Sequence, residues 1–192
     1  MKQLVLIGLL LLPLLGLAQS DFQWGRLITV EGDTLDGYLA RATGDQFVYK
    51  KEKNGTRSFI KEDDLASYRL GDDTYEKHLV DVQMGKFPER REVYLKVLVD
   101  GPVRLMEYTG TGMLGASHTN HFLFHDDASM PWLVPSQPRA FRNQVGMYFG
   151  DCEDVHGKIR QQEMGYDELN AIVILYNTWA ISDALEHRDV PE

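Results

Sequence analysis

Apolar and polar positions alternate in short runs between residues 24 and 134, and turn residues separate the runs. The stretch EVYLKVLVDGPVRLMEY gives the clearest alternation, and Asp100-Gly101 turns the chain in its middle. Comparable turn signals occur at Glu31-Gly32-Asp33-Thr34, Asn54-Gly55 and Gly71-Asp72-Asp73. Closely spaced turns of this kind predict an antiparallel meander.

The pattern changes to a helical period after Pro138, a residue suited to the first position of a helix. A second, shorter helix is predicted around Val155 and Ile159. The last and strongest helix has Asp167 as its expected N-cap. Its predicted buried stripe comprises Leu169, Ile172, Val173, Tyr176, Trp179 and Ala180, and the face of the first helix comprises Phe141, Val145, Tyr148 and Phe149.

Strands first and helices last predict an α+β fold. We expect an antiparallel β-meander, as a sheet or a partly closed barrel, with two or three C-terminal helices packed on it. Residues 19–192 are expected to form one domain, strand-rich over 24–134 and helical over 138–185. A Gly-rich stretch over 109–120 is predicted to be a long flexible loop between two strands.

Residues 1–18 have the pattern of a secretory signal peptide. Lys2 is followed by an apolar segment over 4–15, and small residues precede a cleavage site after Ala18. A membrane-spanning helix is the alternative, but the segment is shorter than the roughly 20 residues a span needs and contains Pro13. We therefore predict an exported protein, periplasmic or extracellular, with no transmembrane span after cleavage; association with the outer membrane stays open.

The net charge of −9 disfavours binding to nucleic acid or to anionic lipid. Acidic residues interrupt the two densest basic stretches, YKKEK and ERRE, which favours a solvated face for both. One cysteine, Cys152, allows no internal disulfide and is interpreted as a small buried hydrophobic residue. We expect no cofactor.

The stretches GRLITVEGDTLDGYL, VYLKVLVDGPVRLMEY and YDELNAIVILYNTW together resemble an uncharacterised family of secreted proteins of Bacteroidota. Such proteins have a G-D-T hairpin after a signal peptide and a helical close at the C-terminus. The resemblance implies a secreted or envelope location, and it brings no catalytic or binding residues. Similar modules sometimes precede an outer-membrane β-barrel.

Residues 117–127 read SHTNHFLFHDD and supply five candidate metal ligands: His118, His121, His125, Asp126 and Asp127. Zinc needs three or four ligands converging at about 2 Å. In a strand, His121 and His125 would share a face but lie about 13 Å apart. His118 and His121 could meet in a loop, with Asp127 or His78 as a further partner. The pattern favours solvated loop and strand-end residues over a metal site.

Several tyrosines fall on predicted strands, where they form either a core or an exposed platform for a glycan or peptide. Core packing is the favoured interpretation of this set, which comprises Tyr38, Tyr49, Tyr68, Tyr75, Tyr94 and Tyr108.

The first functional hypothesis is an exported, non-enzymatic envelope module that binds or docks a protein, peptide or glycan through a sheet face or edge. The alternative is a metal-dependent or other hydrolase that uses the loop and strand at 109–127, with at least two of its polar side chains converging in a pocket. A purely structural role is a third hypothesis, and the oligomeric state stays open.

Overall fold

The computed structural model describes residues 22–42, 46–83, 88–111, 117–125 and 127–186. In these ranges ten antiparallel strands form one open sheet, and three α-helices follow the strands. The predicted α+β class and β-meander are confirmed. The predicted signal peptide and Asp126 lie outside the described residues.

The strands occupy the chain from Gln23 to Leu133, and the helices occupy it from Pro138 to Glu186. The strands are β1 (Gln23–Thr29), β2 (Thr34–Arg41), β3 (Gln46–Lys50), β4 (Ser58–Lys61), β5 (Leu65–Leu70), β6 (Asp73–Gln83), β7 (Pro88–Val99), β8 (Val103–Thr111), β9 (Ser117–His125) and β10 (Trp132–Leu133). The helices are α1 (Pro138–Tyr148), α2 (Glu153–Arg160) and α3 (Leu169–Glu186), with 3₁₀ turns at Glu62–Asp64 and Tyr166–Glu168.

Two meanders meet in the middle of the sheet, whose order is β10-β9-β8-β7-β6-β5-β1-β2-β3-β4. After β4 the chain crosses through a 3₁₀ turn and returns as β5 to pair with β1, which places Leu27 opposite Tyr68. The predicted glycine turns are confirmed, because Gly32, Gly71 and Gly101 all have positive φ.

Each half of the sheet buries its own apolar cluster. Strands β1–β5 enclose Leu27, Leu39, Phe47, Leu65 and Tyr68, whose side chains lie on one face. On the opposite face β6–β9 enclose Val80, Val82, Leu95, Met106 and Phe122, and the sheet bends there so that β10 contacts β6. The sheet stays open despite this bend.

The helices cover the other face of β8 and β9, where Val103, Leu105 and Leu123 lie against the apolar sides of all three helices. The predicted helical faces are confirmed for Phe141, Val145, Phe149, Val155, Ile159, Leu169, Ile172, Val173 and Tyr176, which are buried. Cys152 is buried among them, as predicted. Asn177 ties α3 to β8 because its Oδ1 accepts from Val103 N and its Nδ2 donates to Val103 O, at 2.9 and 2.8 Å.

Two local predictions are wrong. Asp167 is not the N-cap of α3, because it lies inside the 3₁₀ turn at Tyr166–Glu168 that precedes the helix. The Glu168 carboxylate accepts from Gly165 N instead, at 2.8 Å. The stretch 109–120 is not all loop, because β8 continues to Thr111 and β9 begins at Ser117. Within the described chain, no helix combines the length and apolar character that a membrane crossing requires.

Candidate functional site

Strands β7 and β8 separate along part of their length and leave a fork in the sheet. Their described ladder runs from Lys96↔Glu107 to Val99↔Leu105, and Leu98 is an extra residue in it. Residues 88–95 of β7 and 108–111 of β8 lie beyond the ladder. Residues 88–96 of β7 are paired with β6 on one side, and among the described residues the other backbone edge of 88–95 has no strand partner, so we call that edge open.

A cleft of about 640 Å³ lies at this fork, between the curled β1–β5 half and the β6–β8 surface. Its lining combines tyrosines with balanced charges: Tyr68, Tyr75, Tyr94 and Tyr108; Arg41, Lys77, Arg91 and Lys96; Glu62, Asp63, Glu92 and Glu107. Val93 and Thr109 complete it. The volume is within the range of small-molecule and peptide sites.

One wall of the cleft is built on the 3₁₀ turn at Glu62–Asp64. Tyr94 Oη lies 2.6 Å from Glu62 O and 2.8 Å from Leu65 O, and it donates to these carbonyls. Lys77 Nζ donates to Glu62 O and Asp63 O, at 3.1 and 3.0 Å. Burial raises the pKa of Tyr94, so the hydroxyl stays protonated as a donor. These bonds fix the turn, and with it the Glu62 carboxylate.

Glu62 forms an ion pair with Arg41, whose guanidinium lies 5.7 Å from the Phe47 ring centroid and 5.8 Å from that of Tyr68. Tyr68 stacks on Tyr75 with 4.7 Å between ring centroids, and burial raises its pKa. The favoured core interpretation is confirmed for Tyr68, which is buried. Tyr75 and Tyr94 are half-buried and present one side to the cleft.

The opposite wall holds a row of polar side chains on β7, β8 and β9. Lys96 Nζ pairs with Asp73 at 2.8 Å, and Lys96 faces Glu107 across the ladder. Glu107 Oε2 lies 3.5 Å from His121 Nε2, and His121 Nδ1 lies 2.8 Å from the Tyr166 hydroxyl. Burial lowers the pKa of His121, while Glu107 opposes that shift, so the imidazole is neutral at pH 7.

The candidate metal ligands of the histidine run are spread over both faces of β9. His121 and His125 share one face, as expected for a strand, and that face is toward the helices; His118 lies on the opposite face, so His118 and His121 do not meet in a loop. His125 Nδ1 lies 2.8 Å from Asp127 Oδ1, an ion-pair distance without hydrogen-bond geometry. In the described ranges, no three His, Cys, Asp or Glu side chains are placed to hold a metal ion.

His78, the other partner suggested for the histidine run, lies on β6 and has a different role. Its Nε2 lies 3.1 Å from Glu76 Oε2, and Arg104 Nη1 lies 2.6 Å from the same oxygen. The hydrogen bond from His78 is the largest influence that lowers the pKa of Glu76. This network therefore stabilises the sheet behind the fork.

Two polar atoms near the fork are buried without a hydrogen-bond partner in the described part of the chain: His118 Nε2 and Asn120 Nδ2. Both side chains lie on the face of β9 that carries Tyr108 of β8, which is opposite Asn120. A buried polar atom without a partner costs free energy, so a ligand group that reached these atoms would gain from bonding to them.

Sequence reasoning found His121 and the tyrosines but missed Arg41, Glu62, Glu107 and Tyr166. His121 and Tyr166 are 45 residues apart and meet only because the segment before α3 packs over β9. The alternation of β8 places Glu107 on the helix-facing side, the side on which His121 lies, and this alternation was the one feature of the sequence that could have pointed to Glu107.

Comparisons with known proteins give no further assignment. No protein-family model matches the chain, no curated protein sequence matches it, and no solved structure matches it.

Proposed function

We propose that this protein is an exported, non-enzymatic binding module of the cell envelope that holds an extended polypeptide segment in the cleft. The observation that carries the proposal is the open backbone edge of β7 at the fork. An exposed strand edge recruits a partner strand through main-chain hydrogen bonds, and alternate side chains of that strand supply specificity.

The cleft's side chains support an extended peptide. Tyr75, Tyr94 and Tyr108 line the cleft with large aromatic surfaces, and tyrosine is enriched where proteins bind other chains. Charges of both signs border the same space, which suits a segment of mixed charge better than a strongly charged ligand.

The test uses a library of random peptides displayed on phage, selected against the protein. Selected peptides are synthesised, and their affinity is measured by calorimetry for the protein and for two matched variants. Thr109→Trp fills the cleft from an exposed position, and Thr178→Trp places the same side chain on the exposed side of α3. We expect Thr109→Trp to weaken binding at least tenfold and Thr178→Trp to leave it unchanged.

Hydrogen exchange then locates the bound peptide. Strand addition predicts slower exchange of amides in residues 88–95 when the peptide is present. Peptides that bind both variants equally, or that protect only residues outside the fork, would refute the proposal. Binding in a glycan array that Thr109→Trp abolishes, without peptide binding, would assign the cleft to a carbohydrate instead.

A hydrolase is the second candidate, and the contact between Glu107, His121 and Tyr166 favours it. A neutral imidazole that is held between a carboxylate and a hydroxyl can accept a proton from a nucleophile. His121→Gln should then abolish turnover of ester or peptide substrates while the protein keeps its peptide affinity. Equal turnover by the unmodified protein and by His121→Gln would exclude this role for His121.

A further inference from the structure

The outer face of β1–β4, opposite the cleft side of those strands, carries a group of half-buried and exposed aromatic and basic residues. We name it the aromatic–basic patch and define it as Phe22, Trp24, Tyr38, Phe59, Lys50 and Arg57. Trp24 is 51% exposed and Phe59 is 67% exposed. Exposure of this extent is unusual for large aromatic side chains that are separated by only two strands.

Strand register places these residues side by side. Trp24 is opposite Tyr38, which is opposite Lys50, so all three lie in one row across β1, β2 and β3. Phe59 is opposite Val48 in the next row of the same face. Trp24 contacts Tyr38 edge to face, with 5.3 Å between ring centroids.

Basic side chains lie over and around the aromatic rings. Lys50 Nζ lies 3.9 Å from the Phe22 ring centroid, and Arg57 lies 5.8 Å from it. The β3–β4 hairpin, residues 46–61, contains five Lys or Arg residues and one acidic residue, Glu52. On the same face Asp36 is neutralised by a two-point ion pair with Arg26.

The whole-chain charge of −9 therefore hides a strong local asymmetry. A lysine on an edge strand also discourages sheet-to-sheet aggregation, and that role alone would explain Lys61 on β4. It would not explain exposed Trp24 and Phe59, which are apolar and face solvent on the same side. Aromatic rings that reach the headgroup region, surrounded by cations, are typical of surfaces that lie on membranes.

We propose that the aromatic–basic patch docks on an anionic phospholipid surface, with Trp24 and Phe59 at the headgroup level and the hairpin cations at the phosphates. Charge complementarity favours an anionic phospholipid surface as the partner, because an anionic bilayer attracts basic residues and repels acidic ones. The inference does not depend on the proposed peptide cleft.

The test is co-sedimentation of the protein, recovered after export, with two kinds of vesicle. One kind contains phosphatidylethanolamine and phosphatidylglycerol, and the other contains only phosphatidylcholine. We expect binding to the first kind, weakened by added salt, and a blue shift of tryptophan emission that is absent in Trp24→Phe.

Two variants separate the aromatic from the charged contribution. One variant, Trp24→Ala with Phe59→Ala, removes the exposed rings of the patch, and the other, Lys51→Glu with Lys53→Glu, reverses two cations in the β3–β4 turn beside it. We call these the two patch variants, and each should lower the vesicle partition coefficient at least tenfold. Lys51 and Lys53 are exposed, so their reversal leaves the fold intact. Met147→Ala, which removes a side chain that is 77% exposed on α1, and Arg139→Glu are the matched controls and should leave partition unchanged.

Three results would overturn the proposal. The protein could bind neither kind of vesicle; the controls could weaken binding as much as the patch variants; or binding could be equal for both lipid compositions. Binding to dextran sulfate that both patch variants abolish, without vesicle binding, would assign the patch to an anionic polysaccharide instead.

Discussion

Replacing Asn177 by alanine should destabilise the protein strongly, because this side chain closes the hydrogen bonds at the start of β8. Asn177 is 6% exposed, and its amide bonds both the N–H and the C=O of Val103, which is 1% exposed. In Asn177→Ala both backbone groups would stay buried without a partner. Each such group costs about 1–3 kcal/mol, so for the two groups we expect a loss of about 2–6 kcal/mol in the free energy of unfolding.

A loss of this size is a large share of the total stability of a domain, about 5–15 kcal/mol. Urea unfolding followed by tryptophan fluorescence measures it, and an unchanged m-value would show that the midpoint reports stability alone. Thr178→Ala is the matched control on the exposed side of the same helix turn and should change stability by less than about 0.5 kcal/mol.

The refuting outcome is specific. If Asn177→Ala loses less than about 1 kcal/mol, and the Val103 amide exchanges no faster than in the unmodified protein, then water replaces the asparagine and the tie between α3 and β8 contributes little.

Three further predictions concern neighbouring groups. Gly101→Ala should lower the free energy of unfolding by about 1–3 kcal/mol in urea unfolding, because φ is +148° there and a Cβ would lie 2.5 Å from Asn177 Nδ2. The double variant with Asn177→Ala should lose less stability than the two single variants together, because the second change removes the clash. Tyr94→Phe should loosen the 3₁₀ turn, cost about 1 kcal/mol, and speed exchange of the Leu65 amide, whereas unchanged exchange would contradict the anchoring role. Because burial lowers the pKa of His121 below its ordinary 6.5, unfolding releases a group that binds protons more readily, so stability should be full above about pH 6.5 and fall as the pH drops below it. A pH series of unfolding midpoints should show this slope flattened in His121→Gln.

Turns and helix starts in this fold can be predicted from the sequence, but the pairing of strands that are distant in the chain cannot. Gly32, Gly71 and Gly101 mark turns because their φ is positive, and glycine is the residue that adopts such a φ without strain. Pro138 begins α1 because a missing N–H costs nothing at a first helical position. The pairing of β5 with β1 cannot be predicted from the residues near either strand. Leu27 and Tyr68 are 41 positions apart, and they meet because both belong to the same apolar cluster.

The candidate site could not be predicted either, because it also depends on contacts between residues distant in the chain. Alternation in β7 and β8 predicts two strands, and both are present, but nothing in the alternation marks the point at which their described ladder stops, at Lys96 and Glu107. The histidine run was conspicuous in the sequence, yet strand geometry separates His118 from His121 by placing them on opposite faces. Conspicuous composition was therefore a poorer guide here than the register of the strands.

Strand geometry also separates the two proposed surfaces. Tyr38 and Leu39 are adjacent in β2 and therefore point to opposite faces: Tyr38 belongs to the aromatic–basic patch, and Leu39 is buried in the cluster under the cleft wall. A protein that lay on a membrane through the patch would present the cleft away from the lipid, where a polypeptide segment could reach it. Thr109→Trp should then block peptide binding without changing vesicle partition, and Trp24→Ala with Phe59→Ala should do the reverse. If either change affects both activities, the two surfaces are coupled through β2, and the separation inferred from its alternation does not hold.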